Sequence, residues 1–175
     1  MKTSFFFAAT LTLVATNVYA EECKPPVKTH SAEFEKLKTL EGKWEGETKH
    51  DDKQENVTVT YHVTSGGSAV VETLFPGTPQ EMVSVYTESD HKLSMTHYCM
   101  LGNQPRLDLV NSSPTEIALS FSKQNAINPN KEDHMHALRL VFIDNDNIVQ
   151  NWSGIKGGKA GDPVLFKLHR VSENR

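Results

Sequence analysis

The chain has 175 residues, is 37% hydrophobic and carries a formal net charge of −4. That size and apolar content suit one domain with a full hydrophobic core. The mildly acidic balance without a basic run argues against nucleic acid as a partner. Beyond the first twenty residues, no stretch is apolar for long enough to cross a bilayer as a helix.

The chain opens "MKTSFFFAATLTLVATNVYA". Lys2 supplies a positive start, Phe5 to Val14 an uncharged apolar run, and Val18 and Ala20 the small residues of a cleavage site. This pattern predicts a signal peptide over 1–20, cut after Ala20, and therefore an exported protein, periplasmic or secreted. Cys23 comes too late after the cut to carry a lipid anchor. Residues 21–30 read as an irregular leader. Export permits a disulfide between Cys23 and Cys99, with geometry deciding whether it forms.

A single domain is expected over 31–175. In "SAEFEKLKTL", Ser31 is a good N-cap, Glu33 and Glu35 occupy the first turns, and Lys36 and Lys38 follow, as the helix dipole favours. Phe34, Leu37 and Leu40 share one face, so one short amphipathic helix is expected, stopping near Gly42. Beyond it the period changes to two. "NVTVTYHV" aligns Val57, Val59, Tyr61 and Val63. "HKLSMTHYC" aligns Leu93, Met95, His97 and Cys99. "HMHALRLVF" aligns His134, His136, Leu138, Leu140 and Phe142, and "PVLFKLHR" aligns Val164, Phe166, Leu168 and Arg170. Such alternation marks half-buried antiparallel strands. About ten strands are expected, near 43–50, 55–64, 67–75, 80–87, 91–99, 105–110, 116–122, 134–143, 147–154 and 163–170, with short turn-forming connections. One helix followed by such a meander predicts an all-β, up-and-down antiparallel barrel whose helix closes one end.

In such a meander successive strands alternate in direction. His97 and Cys99 end the fifth strand, His134 and His136 begin the eighth, and Trp152 ends the ninth, so all five belong at the end opposite the helix. The alternation points the three histidines and Cys99 inward, subject to strand register and to bulges. Imidazoles and a thiolate are good ligands for zinc, copper or iron, so His97, His134 and His136 are candidate metal ligands, with Glu72 or Cys99 as a fourth. The same groups could instead line a wet cavity with paired polar atoms. An inward Glu72 would make an acid–base pair with the histidines, and Arg106 at the rim could take an anionic group. No Gly-x-Ser-x-Gly, His-Glu-x-x-His or phosphate loop is present, which leaves a nucleophilic triad unsupported.

"LEGKWEG" at 40–46 resembles the Gly-x-Trp signature of lipocalins and related calycin barrels. The resemblance implies that Trp44 lies across the closed end beneath the helix, with Arg170 packed on it. Gly42-x-Trp44-x-Gly46 also resembles the start of the nitrobindin signature, which implies a ten-stranded barrel and heme as a cofactor. The third glycine of that pattern is Thr48 here, and the C-terminal histidine it would use, His169, alternates to the outside. "GGSAVVETLFPGTPQEMVSVY", "THYCMLGNQPR" and "HMHALRLVFID" resemble an uncharacterised bacterial family of calycin-like barrels, which implies a bacterial source. The expected function is binding of a small hydrophobic or amphipathic ligand at the His97, His134, His136 end, with Cys99, Trp152, Glu72 and Arg106 contributing. A metal- or heme-dependent enzyme using the same histidines, and a barrel with a filled interior that acts through its surface, remain open alternatives.

Overall fold

A computed structural model describes residues 29–50 and 53–172. The predicted signal peptide, most of the leader and Cys23 lie outside the described residues. The described chain forms helix α1 (Ala32–Lys38) and strands β1 (Gly42–His50), β2 (Lys53–Thr64), β3 (Ala69–Leu74), β4 (Met82–Ser89), β5 (Lys92–Tyr98), β6 (Arg106–Ser113), β7 (Glu116–Phe121), β8 (His134–Phe142), β9 (Asn147–Lys156), β10 (Lys159–Ala160) and β11 (Val164–Arg170). Each strand pairs antiparallel with its chain neighbour from β1 to β9, and β11 lies between β9 and β1. The ten long strands thus close into a barrel, as the alternation predicts, while the two-residue β10 is a small flap hairpinned on β9.

Ser31 caps α1, its Oγ accepting from the Phe34 amide at 3.3 Å. The Glu88 carboxylate of β4 accepts from the Ser31 amide at 2.9 Å, placing negative charge at the helix start. Phe34, Leu37 and Leu40 are fully buried against the barrel end. Trp44 donates from Nε1 to the Leu40 carbonyl at 2.8 Å, and the Arg170 guanidinium lies 4.3 Å over its ring. Arg170 also donates to the Thr39 and Glu41 carbonyls, both at 2.7 Å. One cation thus satisfies carbonyls at the helix C-terminus and stacks on the indole that floors the barrel.

The inward parity read for β2 and β5 holds: Val57, Val59, Tyr61, Leu93, Met95 and His97 are all buried. That read for the start of β8 does not. A bulge shifts the register against β9 between Met135 and Ala137, so Met135 pairs with Gly154 and Ala137 with Ser153. The extra residue is His136, and alternation is lost at the point where the two histidines sit.

Candidate functional site

Four adjacent strands place Tyr61, Glu72, Ser84 and His97 opposite one another in a single row across β2, β3, β4 and β5. All four side chains are buried. Tyr61 donates its hydroxyl proton to Glu72 Oε1 at 2.8 Å, and Tyr86 donates to Oε2 at 3.1 Å. Gln150 Nε2 donates to Glu72 Oε1 at 2.6 Å and to the Tyr61 oxygen at 2.5 Å. Trp152 Nε1 donates to Gln150 Oε1 at 2.8 Å. An indole can only donate, so this bond fixes the Gln150 amide with its nitrogen toward Glu72. Ser84 stands opposite Glu72 in the row and favours its ionised form, and its Oγ lies 3.0 Å from His97 Nδ1. The His97 ring packs against Trp152 with centroids 5.0 Å apart. The two ends of the network therefore meet.

Burial governs the protonation of these groups. It raises the pKa of Glu72, while its hydrogen bonds to Tyr61, Ser84, Tyr86 and Gln150 pull the other way. Burial, then the neighbouring carboxylate, raises both phenols well above their usual range, so Tyr61 and Tyr86 stay protonated and keep donating. Burial lowers His97 from 6.5 to about 4, so its imidazole is neutral at physiological pH.

Stability is expected to fall on acidification because of His97. A lowered folded-state pKa contributes stability that is present above 6.5 and lost as pH falls toward 4, by roughly 3 kcal/mol over that window. Glu72, with its raised pKa, acts with the opposite sign, its contribution present below the ordinary carboxylate value and lost as pH rises. Urea unfolding midpoints measured from pH 7 to pH 4 should drop in the wild type and flatten in His97→Phe. Equal slopes in the two proteins would show that His97 does not titrate in this way.

Above the row lies a cavity of about 760 Å³, lined by His97, Trp152 and a mostly apolar wall that includes Leu74, Phe75, Met82, Met135, Val164 and Phe166. It occupies the end opposite α1, where β5 finishes and β8 begins. Phe75, ahead of Pro76, holds a φ of +53°, a strained conformation for a bulky side chain. Its amide donates to the Thr58 carbonyl at 2.9 Å, and its ring meets the Phe166 ring edge-on at 5.7 Å. The strain is thus located at the cavity wall.

The remaining sequence candidates lie elsewhere. His134 is fully buried against Phe121, beside His136, and neither histidine lines the cavity. His134 Nδ1 donates to the Glu132 carbonyl at 2.7 Å, and Nε2 shares a proton with His136 Nδ1 at 3.2 Å. Three of the four ring nitrogens are thereby engaged. Among the described residues no three His, Cys, Asp or Glu side chains are placed to hold a metal ion, so the His97, His134, His136 ligand set is not assembled. Cys99 falls one residue past β5, in a turn closed by its own bonds to Asn103 and Gly102, and burial raises its thiol pKa. Arg106 pairs with Asp108 at 3.1 Å and does not line the cavity. His169 is exposed opposite Glu45 on β1, so the residues present do not fit a heme held by a C-terminal histidine.

No protein-family model matches the chain, and no curated protein matches it. Several solved structures are similar to it. The crystal structure of Rv2717c from M. tuberculosis is 14% identical, with 82% of this chain and 100% of that one covered at a TM-score of 0.56. A protein from Nostoc punctiforme, described as of unknown function and from the DUF3598 family, is 15% identical, with 77% of this chain and 49% of that one covered at a TM-score of 0.52. The chain thus spans about half of that second protein. At these identities the likeness shows the fold alone, a closed antiparallel β-barrel.

Sequence reasoning placed Tyr61 inside but gave it no role, and it missed Ser84, Tyr86 and Gln150. The signal was partly present. A two-residue turn at Asp90-His91, both with positive φ, pairs Ser89 with Lys92. Counting back along that hairpin sets Ser84 opposite His97.

Proposed function

We propose that this protein is an exported barrel that binds a small, largely apolar ligand in the cavity at the His97 end. The observation that carries the reading is the cavity itself, about 760 Å³ with a predominantly hydrophobic and aromatic wall. That combination is typical of small-molecule sites. A hollow of this size argues against a filled interior, and the separation of His97 from His134 and His136 argues against metal chemistry by the three together. The signal-peptide pattern at 1–20 supports export.

The reading is tested on protein recovered from a bacterial host expressing the full chain. The mature protein should begin at Glu21 and bind the apolar fluorophore N-phenyl-1-naphthylamine. Met82→Trp, which fills the cavity from the wall, should weaken that binding at least tenfold with little change in melting temperature. Retention of 1–20 would refute export. A wild type that ignores the dye, or a variant that binds it equally well, would refute the cavity.

A further inference from the structure

The cavity wall is apolar, but its floor carries a directional polar group. Ser84 has one proton to donate, and in the row it stands directly between Glu72 and His97, with its Oγ 3.0 Å from His97 Nδ1. The other partners of Glu72 are the protonated phenols of Tyr61 and Tyr86 and the amide nitrogen of Gln150, whose orientation Trp152 fixes. These are all donors, the set that suits a carboxylate accepting on both oxygens. Ser84 therefore gives its proton to Glu72 and accepts from His97 Nδ1–H. His97 is left with a bare Nε2, on a side chain that lines the cavity.

Thr48 adds a second polar group. It is 5% exposed, lines the same cavity, and its Oγ1 has no partner among the described residues. Buried polar atoms are nearly always paired. No existing bond holds that hydroxyl away from a ligand in the cavity that Thr48 lines. Among the described residues no Lys or Arg lines the cavity, whereas Glu55 does. An anionic head group would meet no cation among them.

We propose that the ligand is a neutral, largely apolar molecule carrying a hydroxyl group, which donates to His97 Nε2 and can accept from Thr48 Oγ1. This rests on the cavity reading above and adds the chemistry of the head group. Ser84 and Glu72 act as positioning residues that hold the imidazole in the accepting tautomer.

Three probes of one shape separate the two ideas: 2-naphthol, its methyl ether, and 2-naphthoate, titrated calorimetrically into the mature protein at pH 7. The naphthol should bind about tenfold more tightly than the ether, as expected for one buried hydrogen bond, and the naphthoate most weakly. His97→Phe, with His97→Gln as a second variant, should lower naphthol affinity to that of the ether and leave the ether within twofold. Equal affinity for naphthol and ether, or tightest binding of naphthoate, overturns the head-group assignment and leaves the cavity reading standing. No binding by any of the three overturns both. The tautomer has its own readout on the unmodified protein: nitrogen-15 NMR should find Nδ1 protonated and Nε2 bare in His97, with the preference lost in Ser84→Ala. A proton on Nε2 in the wild type overturns the proposal.

Discussion

Replacing Glu72 with leucine is expected to destabilise the protein by about 4 kcal/mol, because the loss falls on the partners left behind. Leucine fills nearly the same space and is the better core residue in isolation. It accepts no hydrogen bond, however. The hydroxyls of Tyr61 and Tyr86 and the amide of Gln150 would keep their donors inside a fully buried site. A buried donor without a partner costs about 1–3 kcal/mol, so several together exceed any gain from the apolar side chain. The origin of the effect can be checked by removing the partners as well. Glu72→Leu combined with Tyr61→Phe and Tyr86→Phe should recover a large part of the loss, since apolar groups then meet apolar groups. Guanidinium unfolding of the single, double and triple variants gives the coupling directly. Additive effects would show that the carboxylate is not the centre of the network.

The same residues show what was legible before the structure. The barrel could be read because period-two alternation persists through β2, β5 and β11 without interruption, and because the single helix stands ahead of the strands. The closed end could be read from Trp44 and Arg170, which fall on the inward face of the first and last strands. Glu72 could not be placed, since "AVVETLF" is apolar on both alternating sets and no period separates inside from outside. His134 and His136 were misplaced because a bulge leaves no mark in the alternation: one residue inserted opposite β9 sends Met135 to the cavity in their stead. Cys99 was misplaced because β5 ends at Tyr98 and the turn begins one residue earlier than the pattern suggests. The polar row was out of reach for a different reason. It is a property of four strands in register, and each strand alone contributes one unremarkable side chain to it.

Gly46→Ala is expected to destabilise the barrel by more than about 3 kcal/mol, although the change adds a single methyl group. Gly46 lies opposite Leu168 on β11 and Val57 on β2. A Cβ at this position would sit 1.8 Å from the Lys167 carbonyl oxygen and 2.8 Å from its carbonyl carbon. Both are backbone atoms, which cannot swing aside as a flexible side chain does. The methyl can be accommodated only if β1 and β11 part, and their pairing is the seam that completes the closed sheet. Parting them exposes two strand edges. It also disturbs the register that sets Trp44 opposite Arg170 at one side of Gly46 and Thr48 opposite Phe166 at the other. The same substitution at Gly161, where the nearest atom to a Cβ is 3.7 Å away, should change stability by less than about 0.5 kcal/mol. Guanidinium midpoints of the two variants distinguish close backbone approach from a general preference for glycine, and equal midpoints would refute the steric account. Because Thr48 and Phe166 line the cavity, Gly46→Ala should also weaken probe binding, with the loss of closure and the loss of the site appearing together.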